Sequence, residues 1–193
     1  MNDILERVIG EGDFIKNILG KLPGFKGYVE REDRRNADKL LRESIAERFE
    51  SLWRRISSLQ KEAISNGEIE KIDDLESSAI KLRQFIDRVK TASYGYAGFF
   101  DVIKVNTEEL NAIYQYDLQM LELEEEIARA VDNVETSFGT DGLPAAIRHL
   151  TTLSQICLDI FNRRKEVIVK MGEPAIEEMN PVEEIKNDEN EEK

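Results

Sequence analysis

Only a few residues of this 193-residue chain have the chemistry of a catalytic site. The single histidine, His149, and the single cysteine, Cys157, are the one pair from which a Cys–His nucleophile could be built. Both fall on one predicted helix, eight residues or about 12 Å apart along its axis, which is too far for direct contact. We therefore expect His149 on the surface, Cys157 in the core and no nucleophilic dyad.

A carboxylate metal centre is the second chemistry to consider. A ferritin-like di-iron site needs Glu-x-x-His on two helices and two further glutamates, but the residue three before the only histidine is Ala146. The sequence also contains an acidic run of Glu122, Glu124, Glu125 and Glu126. Neighbouring side chains of a helix point in different directions, so we interpret this run as solvated surface. No catalytic residue, cofactor or metal ligand is predicted, and we expect a protein that is not an enzyme.

Four basic residues form a cationic strip, because their spacing of four, four and three places them on one helix face: Arg31, Arg35, Lys39 and Arg42. Such a strip can bind a phosphate, a lipid head group or an acidic helix. Acidic residues such as Asp38 are interleaved with it, which favours ordinary ion pairs on the helix surface over an anion site. A third alternative is that the strip faces the acidic fourth helix of the same chain.

The aromatic segment Tyr94, Tyr96, Phe99 and Phe100 is the other candidate for partner binding. It also holds two glycines, and the interpretation we favour is a packed corner that closes one end of a bundle. The alternative is an exposed hot spot, since tyrosine-rich surfaces anchor protein partners. If the second and third helices form a hairpin, the aromatic segment lies beside the cationic strip, and the two together predict a partner-binding surface.

The elements that position these residues follow from a ladder of apolar residues spaced three and four apart on both sides of Gly67. Its rungs are Leu41, Ile45, Phe49, Leu52, Ile56, Leu59 and Ala63 before the glycine, and Ile72, Leu75, Ala79, Leu82, Ile86 and Val89 after it. This spacing places every rung on one face of an α-helix. Glycine readily takes the left-handed conformation that ends helices, so the ladder predicts a long helical hairpin folded at Gly67.

Five helices are predicted in all. They run from Asn2 to Leu19, from Tyr28 or Glu30 to Asn66, from Glu68 to about Ser93, from Asn106 or Thr107 to Phe138, and from Pro144 to Gly172. Residues 1–22 then form an amphipathic N-terminal helix, residues 28–172 a helical bundle domain, and residues 173–193 an acidic disordered tail with nine acidic and two basic residues. The predicted fold is an all-α, elongated antiparallel helical bundle around a long central hairpin.

The net charge of −13 limits the possible partners. Residues 1–100 carry 18 basic and 18 acidic side chains, whereas residues 101–193 carry 9 and 22, so the whole excess lies in the second half. A field of that sign repels phosphate backbones, and no nucleic-acid partner is expected. No apolar run approaches the roughly 18 residues that span a bilayer, and one cysteine cannot form an internal disulfide, so we expect a cytoplasmic protein.

The function that these patterns favour is a non-enzymatic scaffold or adaptor that binds another protein. Self-association into a homo-oligomer is also expected, because elongated bundles of this size expose apolar stripe. The alternative is a peripheral membrane protein that attaches through residues 1–22, although this helix lacks the usual basic polar face. A third possibility is an enzyme whose site is built from carboxylates and arginines across subunits.

Overall fold

The computed structural model describes residues 13–22, 24–26, 34–92 and 107–172. Five α-helices occupy these ranges: α1 (Asp13–Lys21), α2 (Arg34–Ser65), α3 (Ile72–Thr91), α4 (Thr107–Ser137) and α5 (Leu143–Gly172). No strand occurs within them, which confirms the all-α prediction. The 32 residues of α2 extend over about 48 Å, so the bundle is elongated, as predicted.

The helix bounds differ from the predicted ones mainly near the hairpin turn. A 3₁₀ turn, Ile69–Lys71, precedes α3, so this α-helix begins at Ile72 instead of Glu68. Residues 1–12 of the predicted first helix lie outside the described ranges, as do residues 27–33 before α2. The predicted acidic tail, residues 173–193, also lies outside them.

Gly67 forms the turn of the α2–α3 hairpin in the conformation that the sequence predicts. Its φ is +78°, in the left-handed region that glycine adopts without strain. The amide of Glu68 then donates a hydrogen bond to the carbonyl of Ala63 at 2.8 Å, which satisfies one of the free carbonyls at the end of α2. The rungs of the ladder are buried, except for Ile72, which is partly buried.

Within each hairpin the two helices run antiparallel. Lys90 of α3 donates to Glu50 of α2 at 2.7 Å, and the guanidinium of Arg83 lies 5.3 Å from the ring centre of Trp53. Residue numbers therefore rise along α3 as they fall along α2. A second hairpin, α4–α5, turns at Gly139, whose φ is +72°.

Between the two hairpins, neighbouring helices run in the same direction. Ser78 and Thr151 share a hydrogen bond of 2.6 Å, and further along the same helices Arg88 donates to Asn162 at 3.0 Å. These contacts pair α3 with α5 in parallel. Along α2 and α4, ion pairs from Arg48 to Glu124 and from Arg55 to Asp132 give the same orientation. The four long helices thus start and stop at two common ends, and we call the end where α2 and α4 begin the basal end.

Helix α1 packs against the bundle, chiefly on α4. Ile18, Leu22 and Phe25 are buried there, and the ring of Phe25 meets Tyr114 of α4 edge-on, with centroids 5.7 Å apart. Lys21 connects this segment to both hairpins, because its side chain pairs with Glu125 and its carbonyl accepts a hydrogen bond from Arg48. Three apolar side chains of the N-terminal segment, Ile18, Leu22 and Phe25, are therefore buried in its own bundle.

The described helices include none whose length and apolar content would let it cross a membrane.

Candidate functional site

Four charged side chains lie in the core near the basal end, and we call them the charged core network: Asp38 and Arg42 of α2, Asp117 of α4 and Arg164 of α5. Arg164 and Asp117 are fully buried, and the other two are almost so. Apolar residues fill most of the remaining core. A buried charge is strongly unfavourable unless it is paired, so the geometry of the network determines whether this end of the bundle is stable.

Arg164 connects the two aspartates. Its Nε donates to Asp117 Oδ1 at 2.7 Å and its Nη2 to Asp117 Oδ2 at 3.1 Å, which is a two-point contact between guanidinium and carboxylate. The same Nη2 donates to Asp38 Oδ1 at 2.6 Å. One arginine from α5 therefore binds carboxylates from both α2 and α4.

Arg42 completes the network. Its Nε donates to Asp38 Oδ2 at 2.8 Å, and its Nη1 reaches the carbonyl of Val89, on α3, at 3.4 Å. Each of the four long helices thus contributes a polar group, and two positive charges balance two negative ones. The Nη1 atom of Arg164 is buried and has no hydrogen-bond partner among the described residues.

The pKa values of the network reflect burial first and pairing second. Burial raises the pKa of Asp117, because its charged form loses solvation, while Arg164 acts in the opposite direction. Burial by itself would lower the pKa of Arg164, but the nearby Asp117 and Asp38 raise it, so the guanidinium keeps its charge. The network is a structural ion-pair cluster that holds its arginine charged in a water-poor interior.

Sequence reasoning did not find Asp117 or Arg164, although both interrupt an apolar stripe. Arg164 lies between Phe161 and Ile168, at spacings of three and four, and Asp117 lies between Ile113 and Leu121 at spacings of four. A charged residue in a core position is the signal that could have identified them. The pattern gives no indication of which charges meet, because the partners come from different helices.

Beside the network, a surface groove of about 590 Å³ lies between the C-terminal parts of α3 and α5. We call it the terminal groove, and it is lined by Arg88, Thr91, Ala92, Phe161, Asn162, Lys165 and Val169. Arg88 and Lys165 are exposed, and no acidic residue of the described ranges pairs with either. Val169 is 47% exposed at one end, while Phe161 is buried beneath. Cations beside apolar side chains suit a ligand that combines carboxylates with apolar groups.

The two members of the cationic strip whose side chains the structure describes differ in exposure. Lys39 is exposed, and its Nζ lies 3.8 Å from Glu43 Oε1, whereas Arg42 is buried in the charged core network. Asp38, the acidic residue interleaved with the strip, pairs with both Arg42 and Arg164. Arg35 lies at the start of α2, and Arg31 lies outside the described residues. Among the described members, Lys39 is therefore available to a partner and Arg42 is committed to the interior.

The aromatic segment lies outside the described residues, so Tyr94, Tyr96, Phe99 and Phe100 stay candidates predicted from sequence alone. Its predicted surroundings can be described in part. The bond from Arg42 to the Val89 carbonyl places the first turns of α2 beside the end of α3, two residues before Thr91.

The remaining candidates for chemistry are dispersed. His149 is exposed and Cys157 is buried, and burial raises the pKa of the Cys157 thiol well above its usual range. Within the acidic run, Glu124 pairs with Arg48 and Glu125 with Lys21, so these two carboxylates connect α4 to α2 and α1. Over the described ranges, no group of three or more His, Cys, Asp or Glu side chains is arranged to hold a metal ion.

No family model, curated protein or solved structure matches this chain.

Proposed function

We propose that this chain is a non-enzymatic helical adaptor that binds another protein at the basal end of its bundle, through the terminal groove. The observation that carries the proposal is the pair of exposed cations, Arg88 and Lys165, beside the exposed apolar side chain of Val169. The matching ligand is a protein segment in which glutamates or aspartates stand next to apolar residues. Arginine is among the residues that most often supply binding energy in protein interfaces.

The structure beneath the groove supports a binding role because it is well braced. Phe161 packs edge-on against Phe85, with ring centroids 6.2 Å apart, and Arg164 lies one turn further along α5. A surface on such an interior loses little conformational freedom when a partner binds. The proposal includes a cytoplasmic location and no nucleic-acid partner, given the net charge of −13.

The alternative, attachment to a membrane surface through residues 1–22, gains no support from α1. Ile18 and Leu22 face the bundle and are buried, so they are not free to enter lipid while α1 is docked. We therefore put forward the protein-binding adaptor alone.

A photo-crosslinking experiment tests the proposal. Photoreactive benzoylphenylalanine replaces Val169 in the full chain, or Ile64 near the hairpin turn as a control, since Ile64 is 58% exposed at the opposite end. After irradiation in native cells, we expect a discrete protein adduct from position 169 that position 64 does not give. The captured protein is then purified and titrated against the full chain.

In that titration, the double variant Arg88→Glu/Lys165→Glu should weaken binding by roughly tenfold or more. The matched control, Lys61→Glu/Lys71→Glu, changes the net charge equally but lies near the hairpin turn, and it should bind as the unchanged chain does. Identical adducts from both positions, or equal binding by both double variants, would contradict the proposal.

A further inference from the structure

The charges around the terminal groove are complemented by a segment of the same chain. Of the nine basic residues in 101–193, four fall within the last ten residues of α5: Arg163, Arg164, Lys165 and Lys170. Arg164 is used in the core, but Arg163 and Lys165 are exposed. Directly after α5, residues 173–193 carry nine acidic and two basic side chains. The most acidic segment of the protein therefore begins next to a basic helix end.

The distances allow this segment to reach the groove. Arg88 is opposite Asn162, so the end of α3 at Thr91 lies level with Lys165, and α5 continues for seven residues to Gly172, or about 10 Å. An extended chain covers about 3.3 Å per residue, so three or four residues that turn back after Gly172 reach Lys165. Glycine and proline at Gly172 and Pro174 suit such a reversal.

The residues that arrive there match the groove in chemistry. A reversal after Gly172 brings Ile176, Glu177, Glu178 and Met179 to the level of Lys165 and Arg88. In that position two carboxylates and two apolar side chains would face two cations and the exposed Val169, with the buried Phe161 beneath them. We propose that residues 173–185 fold back into the terminal groove, with the two glutamates against Arg88 and Lys165, so that the tail occupies the site in competition with a protein partner.

The regulatory meaning of this contact rests on the proposed function, but the contact itself can be measured on the isolated full chain. Because the tail is joined to α5 by a short stretch of chain, its effective concentration at the groove is in the millimolar range. Weak individual contacts are then sufficient for the tail to occupy the groove. A partner with the same chemistry must displace it. Added salt should weaken the contact, because the cations and carboxylates involved are near the surface.

Paramagnetic relaxation measures the contact directly. A nitroxide is attached to the full chain through the substitution Asn180→Cys, while the buried thiol of Cys157 stays unlabelled in the native protein. We expect the amide signals of Thr91 and Ala92 to lose more than half of their intensity, and those of Ile64 and Ile69 to keep theirs. Thr91 and Ala92 are far from the label in sequence, so their broadening reports on folding back.

Two sets of variants test the cause. Arg88→Glu/Lys165→Glu should restore the Thr91 and Ala92 signals, and so should Glu177→Gln/Glu178→Gln, which leaves the bundle itself unchanged. The control Lys61→Glu/Lys71→Glu should leave the broadening in place. Broadening that is absent in the unchanged chain, or that survives both sets of variants, overturns the inference.

A mixed sample separates the tail from other occupants. Spin-labelled chain without isotope is mixed with isotope-labelled chain without the spin label, and equal broadening there would assign the groove to a second copy and overturn the inference. The proposed function is measured independently by crosslinking at Val169. If the tail is free and a partner is captured at Val169, only this inference is overturned. If the tail is docked and no partner is captured, only the proposed adaptor function is overturned.

Discussion

At the scale of single residues, Arg164 determines how the basal end is held together. Its guanidinium donates to carboxylates of α2 and α4 while it is itself fully buried on α5. Buried pairs of this kind are not strongly stabilising compared with apolar residues, because each charge loses its solvation. They are very sensitive to the loss of one member, because the remaining charge is then buried without compensation.

Replacing Arg164 by leucine should therefore lower the free energy of unfolding by about 3–5 kcal/mol, because Asp117 is left as an unpaired buried carboxylate. Chemical denaturation of the full chain measures the loss. The double variant Arg164→Leu/Asp117→Leu removes one charge of each sign and leaves Asp38 paired with Arg42, so it should recover much of the stability. A single variant as stable as the unchanged chain would contradict the ion-pair role.

Cys157 gives a second prediction at this scale. Because the thiol is buried and its pKa is raised, little thiolate forms and reagents have no access to it. We expect a thiol reagent such as dithiobisnitrobenzoate to leave the native protein unmodified and to modify one thiol per chain after denaturation. Rapid modification of the native chain would show that α5 opens locally around this residue.

At the scale of elements, the hairpin turn and the docking of α1 depend on different physical terms. Gly67 adopts a left-handed φ and has open space around its α-carbon. An added side chain would therefore clash with no neighbouring atom, and the cost of a substitution is backbone strain alone. Helix α1 is held by buried apolar side chains and by Lys21, which pairs with Glu125 at the surface.

Two glycine substitutions should have opposite signs. Gly67→Ala should destabilise the protein by about 1–2 kcal/mol, since alanine is strained at positive φ. Gly20→Ala, within α1 and also with open space around it, should stabilise by up to about 1 kcal/mol, because alanine has the higher helix propensity. Thermal unfolding of the two variants measures both changes. A neutral Gly67→Ala would mean that the turn has another conformation.

The contact between α1 and α4 should weaken in acid. Lys21 lowers the pKa of Glu125 below its ordinary value of 4.5. The folded state therefore releases this proton more readily than the unfolded chain, so the contribution is present above the ordinary pKa and is lost as pH falls through the lowered one. Protection factors of the α1 amides in hydrogen exchange, taken down to about pH 3, measure the effect.

In the variant Glu125→Gln, the α1 amides should show at every pH the low protection that the unchanged chain shows only in acid. Their protection should therefore no longer depend on acid. Glu122→Gln is the matched control, because Glu122 is exposed on the same helix. An α1 whose protection depends equally on acid in both variants would contradict a role for the Lys21–Glu125 pair.

At the scale of the whole molecule, the described helices bury their apolar stripes within one chain. The exposed large apolar residues of these ranges are Ile64, Ile69, Ile80, Ile156 and Val169, and they are spread over α2, α3, α5 and the hairpin turn. The expectation of self-association rests on an exposed apolar stripe, and the described helices do not present one. Self-association stays a prediction, with no apolar stripe of the described ranges to support it.

Light scattering at high concentration tests self-association, and the sequence predicts a mass above the 22.2 kDa of one chain. A strict monomer over the whole concentration range would contradict it. An oligomer that dissociates when salt is added would assign the contact to charge, since apolar contacts between copies strengthen or persist under those conditions.

The sequence by itself determined the helices and their turns. The ladder, with Leu41 and Val89 near its ends, predicted the α2–α3 hairpin, and Gly67 predicted its turn, because helical periodicity and a left-handed glycine are local properties of the chain. Periodicity also placed Cys157 in the core. The same reasoning predicts a partner surface at the end of the bundle where α2 begins, and this surface stays a prediction.

Only the tertiary structure decided how the two hairpins pair and which charges meet between them. The parallel neighbours α2 with α4 and α3 with α5 depend on contacts between residues about 75 positions apart, such as Arg88 with Asn162. The same packing buries Arg42, brings Arg164 into two-point contact with Asp117 and forms the terminal groove. A periodic pattern indicates which face of a helix is buried, but not against which other helix, because that choice depends on how side chains of distant segments fit together.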